Sequence, residues 1–481
     1  MAMIIKERER GAIIQSLASG VVPKIGLQHI QVDRKDEILA MIDDLDRIGK
    51  GGTSVRFVIG PFGTGKSFFL NLTKAVAVTE KFVVMQADMA LKRRLASSTG
   101  YARGLYAELV SGMSVKSNPD GGALESVMEK WIRSLPDKKP GGPFDIEAST
   151  RAELRPMQDM PGGFHFIDVV IKYCESYLYG NSRVLRAAQR WLAGGFDKHS
   201  EARALLGVDA LIGDKDVYNY LKLWGAFFRI AGYPGLLVLL DEMGIIAHGL
   251  SNTAARSGNY EVILQILNDC LQGAASGIGF LFAGADFFID DEKTGMMGHG
   301  ALASRLAPNP FAAGGLKDFS GPIIRLGQFS PEDLYLLLEK IRDVFAMGDP
   351  AKYLIPDEAI HPFMNRAALS LGPEFYKTPR EAVKLFTGFL SVLEQNPQVS
   401  WRALLNTAVM DGAESRAVAA RDGEPRRIAL HTPPAPQTAP AADRAAEPAR
   451  RNAPIQSAAP DVTPSAASKP VAAPDSAPKA S

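Results

Sequence analysis

Residues 54–79 read SVRFVIGPFGTGKSFFLNLTKAVAVT: an apolar run passes straight into a glycine-rich loop, and a helix-patterned stretch follows. No other feature constrains the fold as tightly. Gly60, Gly63 and Gly65 lack a Cβ where successive backbone amides must converge, and the next helix aims its positive N-terminus at the same point. Strand, glycine loop and helix start, in that order, make an anion cradle. Gly60-Pro61-Phe62-Gly63-Thr64-Gly65-Lys66-Ser67 satisfies the G-x-x-x-x-G-K-[ST] pattern at every constrained position, with Phe68 continuing into the helix. In such a loop the lysine reaches the β- and γ-phosphates, and the hydroxyl of Ser67 is a ligand for Mg2+. A plain glycine-rich connector has the same composition but does not require the strand and the helix that flank this one.

Five short apolar runs are bounded by turn residues: SVRFVIG at 54–60, KFVVMQADM at 81–89, GLLVLLDE at 235–242, GIGFLFAGAD at 277–286 and GPIIRLG at 321–327. Runs apolar on both faces belong to strands covered on both faces, as in a parallel sheet between helices. Helical periodicity between most of them predicts a doubly wound α/β core. The rhythm breaks from about Leu91 to Tyr233, where helical patterns are interrupted by NPDGG, PDKKPGGP and MPGGF. That interval reads as a large helical insertion between the second and third strands. From SPEDLYLLLEKIRDVF to TPREAVKLFTGFLSVLE the pattern is helical again and predicts a C-terminal lid. The expected organisation is an N-terminal segment (1–50), a P-loop core (51–330), the lid (331–411) and a tail (412–481).

From Glu424 onward half of the residues are alanine or proline and none is aromatic, so this stretch cannot bury enough surface to offset ordering. Its Arg426, Arg427, Arg444, Arg450 and Arg451 are mixed with acids, the composition of a solvated linker. With 54 basic and 53 acidic side chains the formal charge is +1, so DNA binding would have to come from local patches. Cys174 and Cys270 lack metal-ligand spacing and fit buried thiols in a reducing compartment. No apolar stretch approaches the length of a membrane helix, and a cytoplasmic protein without membrane contact is expected.

The third run ends in Asp241-Glu242. An acid at the end of an apolar strand beside a P-loop strand holds the magnesium shell, and an adjacent carboxylate orients the attacking water. Asp241 is therefore assigned to Mg2+ and Glu242 to water; two solvated acids at a strand end are the alternative. An acid pair on a strand beyond an intervening one is the arrangement of additional-strand ATPases. No guanine-selecting N-K-x-D motif occurs, which favours ATP.

GVVPKIGLQHIQVDRKDEI, RFVIGPFGTGKSFFL, GYPGLLVLLDEM, FLFAGADFFIDDEKTG, ALASRLAP and TPREAVKLF together resemble the BREX-system ATP-binding protein family, relatives of origin-recognition and AAA+ ATPases, over roughly residues 10–410. The resemblance implies an AAA+-like ATPase with ATP and Mg2+ as cofactors. Where many relatives carry GT or GTP after the fourth strand, this chain has Gly284-Ala285-Asp286, which makes Asp286 the candidate sensor of the γ-phosphate; an aspartate capping the next turn is the alternative. Arg305 matches an arginine presented to a neighbouring subunit's nucleotide, against a surface ion pair. Arg380, in the first turn of a helix, matches a lid arginine. Arg34, with the backbone from Ile30 to Val32, matches the adenine side; an ordinary packing strand before an amphipathic helix is the alternative. The family's setting beside helicases in anti-phage loci implies a nucleotide-driven switch or remodeller in a DNA-directed complex, as a homo-oligomer or with partner defence proteins such as a helicase. A slowly hydrolysing signalling module of the STAND type and a DNA motor are the other readings, the motor disfavoured by the absence of an aromatic-interleaved basic groove.

Overall fold

A computed structural model describes residues 5–135, 145–312, 318–371 and 379–406. The apolar runs form β1 (Thr53–Ile59), β2 (Val83–Asp88), β3 (Leu236–Asp241), β4 (Ile278–Gly284) and β5 (Ile323–Arg325). Every pairing is parallel, and the order across the sheet is β2-β3-β4-β1-β5. β4 thus stands between the P-loop strand and the acid-bearing strand, as the additional-strand ATPase fold requires. The register sets Asp88 opposite Asp241 and Ile59 opposite Gly284, so the chemistry-bearing residues gather at the carboxyl edge of the sheet.

Alternation along the strands explains why they are apolar throughout. Phe57, Ile59, Val238, Leu240, Phe280 and Phe282 share one buried cluster, whereas Val58, Leu237, Leu239, Leu281 and Ala283 share another on the opposite face. The second face is covered by the P-loop helix Lys66–Thr79 and by the helix Lys35–Gly49. The latter packs so closely that a Cβ on Gly279 would come within 2.4 Å of the Ile48 side chain. Asp44 on this helix and Arg56 on β1 form a buried ion pair at 2.6 and 3.0 Å, and Arg56 also donates to the Phe319 carbonyl at 2.7 Å. Helix, strand and the segment entering β5 are tied at one point.

The first face is covered by the interval between β2 and β3. Its described residues form seven α-helices: Tyr101–Ser111, Leu124–Ser134, Ile146–Glu153, Gly163–Tyr179, Ser182–Leu192, His199–Leu206 and Val217–Ile230. They share a core with the sheet, dense in aromatics: Trp224 stacks on Phe228 at 5.3 Å and meets Phe166 edge-on at 5.0 Å. The Trp224 indole donates to the Tyr106 hydroxyl at 2.9 Å, which donates to the Leu192 carbonyl at 2.8 Å, so both of these buried polar groups are satisfied. Cys174 lies in this core and Cys270 is half-buried; burial pushes their thiols up to about 12 and about 11, which leaves both inert.

After β5, Ser330-Pro331-Glu332-Asp333 opens the lid with a reciprocal cap, in which Ser330 Oγ accepts from the Asp333 amide and the Asp333 carboxylate accepts from the Ser330 amide, each at 3.0 Å. Helices Pro331–Phe345, Ile360–Leu371 and Pro379–Gln395 share a separate core with the N-terminal helix Glu7–Ala18, built from Ile13, Leu338, Ile341, Phe386 and Leu390. The first helix of the chain therefore packs into the C-terminal lobe, a long-range partnership with no local signal. The expected tail, 412–481, and its arginines lie outside the described residues. No described helix is long and apolar enough to cross a membrane.

Candidate functional site

A cavity of about 530 Å³ opens at the carboxyl edge of the sheet, where the P-loop, the ends of β3 and β4, the N-terminal segment and the lid meet. Its size and its mix of apolar walls with a few charged groups suit a small-molecule ligand. Gly63 and Gly65 both have φ of +86°, left-handed conformations that side chains resist, and a Cβ on Gly60 would stand 2.6 Å from the Leu326 carbonyl oxygen. The glycines are thus demanded by the turn. Lys66 Nζ donates to the carbonyls of Gly60 and Pro61, each at 2.8 Å, and Thr64 Oγ1 donates to the Pro61 carbonyl at 3.0 Å. Phe62 is exposed at the rim, its ring 5.7 Å from Lys66 Nζ, while Phe68 reaches the lid core.

Ser67 Oγ donates to Asp241 Oδ2 at 2.7 Å, and Asp241 Oδ1 accepts from the Glu242 amide at 2.8 Å. The P-loop and the acids that end β3 therefore face one another. Glu242 has φ of +59°, a left-handed conformation rare for a residue with a side chain and concentrated at functional sites. Burial holds the Lys66 ammonium below its usual range, opposed by the negative charges of Asp241, Asp286 and Glu242. Burial raises the Glu242 carboxyl, the Asp241 and Asp88 charges raise it further, and Lys66 and Arg380 pull it down. Burial likewise raises Asp286, opposed by Arg325 and Lys66.

Asp286 precedes the short helix Phe287–Asp290 but makes no side-chain capping bond to it. Arg34 lines the cavity, lies over the Phe329 ring at 5.6 Å and pairs with Glu37 at 3.7 Å, while Ile30, Gln31 and Val32 form the adjoining wall. Arg380 enters the lining from the lid with Pro379 and Val383. Arg305 does not. It sits on the exposed surface of helix Gly300–Leu306, donating to Asn268 Oδ1 and to the Ala301 carbonyl, each at 2.7 Å. Ser67 and Asp241 offer two adjacent oxygens of the kind that could hold a Mg2+ ion. Among the described residues no cluster of three or more His, Cys, Asp or Glu is arranged around a metal.

Sequence reading missed three features of the site. Asp88 ends β2 opposite Asp241; partial desolvation and the Asp241 charge raise its carboxyl. VVMQAD and LLVLLD share one pattern, an apolar run closing on an acid, and that signal was available. His248 and Phe287 both line the cavity, yet nothing local foretells their pairing. One turn of π-helix, Ile245–Gly249, follows the acid pair, a deviation frequent at functional sites.

No curated protein matches this chain. Among solved structures, the Aeropyrum pernix ORC2 protein, in its ADPNP-ADP complexes, is similar at 13% identity and a TM-score of 0.39, over 78% of this chain and 67% of that one. The model of the family described as BREX system ATP-binding protein BrxC/D matches residues 5–409, a span that contains every described residue, with the P-loop and both strand-end acids inside the match. The chain belongs to the BREX system ATP-binding protein BrxC/D family.

Proposed function

We propose that this chain hydrolyses the ATP it binds and that the bound nucleotide sets the arrangement of lid and core. The observation that carries this reading is the 2.7 Å contact between Ser67 and Asp241, which sets the P-loop against the acids that end β3. The P-loop amides and Lys66 bind the β- and γ-phosphates, and Mg2+ held between Ser67 and Asp241 supplies neutralisation of charge on the transferring phosphoryl group. Glu242, raised above the usual carboxylate range, takes the role of the base that orients and polarises water. Asp286 watches the γ-phosphate from the end of β4. Arg34 and the Ile30–Val32 wall take the adenine side, and Arg380 brings a positive charge from the lid. Arg305, exposed and outside its own cavity, serves a neighbouring copy's nucleotide and would make turnover depend on assembly. For action beside DNA or a helicase the support is family membership.

Two variants test the reading together. Lys66→Ala removes charge-assisted hydrogen bonds to phosphate and weakens ATP binding at least about a hundredfold by calorimetry; unchanged affinity ends the phosphate-cradle assignment. Glu242→Gln keeps ATP affinity and lowers kcat by roughly 10²–10⁴. Wild-type turnover in that variant removes Glu242 from the chemistry.

A further inference from the structure

β3 and β4 run side by side to the cavity, and their last backbone link is the Met243 amide donating to the Ala283 carbonyl at 2.9 Å. Beyond it the two chains part, one into Ile245–Gly249 and the other into Phe287–Asp290. A pair of rings joins them again. His248 lies flat on Phe287, with centroids 3.8 Å apart and planes 4° from parallel. His248 Nε2 also stands 3.4 Å from Asp291 Oδ2, and the backbone amides of Lys293 and Thr294 fix that aspartate at 2.8 and 2.9 Å. The loop passes close under the ring as well, since a Cβ on Gly244 would stand 3.0 Å from two Phe287 atoms. The stack therefore bridges the segment that starts at Glu242 and the segment that starts at Asp286.

Two features show that a brace is needed here. Glu242 has φ of +59°, a conformation that persists only where the surroundings over-determine it. One turn of π-helix, Ile245–Gly249, follows in place of an ordinary turn, a second departure from regular backbone in the segment that carries the acid. Resting on the hydrolytic reading above, we infer that His248 is a positioning residue: its stack on Phe287 fixes Glu242 relative to Asp286, and with it the line along which water meets the γ-phosphate. The rings line the same cavity but bond to neither Lys66 nor Ser67, so the effect is expected on the chemical step more than on nucleotide affinity. Misplacing a catalytic group by an ångström costs up to about a hundredfold in rate.

The test is steady-state ATPase kinetics on the full chain, with ATP affinity measured separately by calorimetry on a non-hydrolysable analogue. His248→Ala lowers kcat roughly ten- to a hundredfold and leaves affinity within about twofold. His248→Phe, which restores a flat ring on Phe287, recovers most of the rate. In the double variant His248→Ala with Phe287→Ala the losses do not add, because each single change already removes the stack. Wild-type kcat in His248→Ala overturns the inference, as does His248→Phe as slow as alanine or a loss confined to affinity. A wild-type chain without turnover overturns the hydrolytic reading and this inference with it; turnover in wild type with an indifferent His248→Ala overturns this inference alone.

Discussion

Two helical regions flank the same sheet and stand in opposite relations to the cavity. The insertion between β2 and β3 merges its core with the sheet, yet none of its described residues lines the cavity. The lid has a core of its own, shared with the N-terminal helix, and contributes Leu337, Pro379, Arg380 and Val383 to the lining. A region that shares a core with the sheet moves with it; a region with a separate core can change its pose at the cost of the contacts between the two. The ligand therefore has leverage on the lid and little on the insertion. The insertion thus stands as a platform fixed to the sheet through their common core.

Trp224→Ala strikes the platform hardest. The side chain is fully buried among Phe166, Phe227 and Phe228 and donates to Tyr106, so truncation opens a large cavity and leaves a polar partner short. The expected loss is ~3–5 kcal/mol by denaturant unfolding. ATP affinity of the folded fraction stays at the wild-type value. A folded Trp224→Ala chain with weakened ATP binding would break the comparison, because the insertion would then be coupled to the site.

Arg380→Ala is the converse experiment. The side chain is exposed at the start of its helix, so its loss changes stability by no more than about 0.5 kcal/mol. It faces the cavity with a positive charge that acts on Glu242, and its removal weakens ATP about tenfold, ~1.4 kcal/mol, as for one hydrogen bond to a charged group. Calorimetry and thermal melting on the same sample decide the matter. Unchanged affinity makes the lid a bystander to the nucleotide, and the contrast between the two regions disappears.

How much of this was legible in the sequence depended on the range of the signal. The strands were read correctly, and the glycine loop and the acid pair fall at the strand ends where they were expected, because each is written in consecutive residues: an apolar run, a glycine pattern, a run closing on Asp241. That a further strand stands between the P-loop strand and the acid-bearing one followed from where the acids fell. What escaped is long-range. Ile13 packs with residues more than three hundred positions away, and the Arg56–Asp44 pair depends on how a helix lies across a strand. His248 looks like any histidine after a strand until β4 brings Phe287 beneath it. Arg305 shows the limit from the other side, since it stands near a helix end as expected but does not line the cavity at the carboxyl edge of the sheet.

The smallest expected effect concerns the sheet edge itself and asks whether β2, the strand that leads into the insertion, acts on the chemistry at all. Asp88 lies opposite Asp241, and its charge is one of the causes that raise the Glu242 carboxyl, after burial and after Asp241. A base with a raised value loses its ionised form as pH falls through that value, so the acid limb of kcat lies above the ordinary glutamate range. Asp88→Asn removes one raising charge while keeping the shape of the side chain. Glu242 then ionises at lower pH and the acid limb moves down, with the plateau rate unchanged. A limb that stays in place shows that the Asp88 charge is screened from Glu242 by solvent, and the influence of β2 on the site then ends at holding β3 in register.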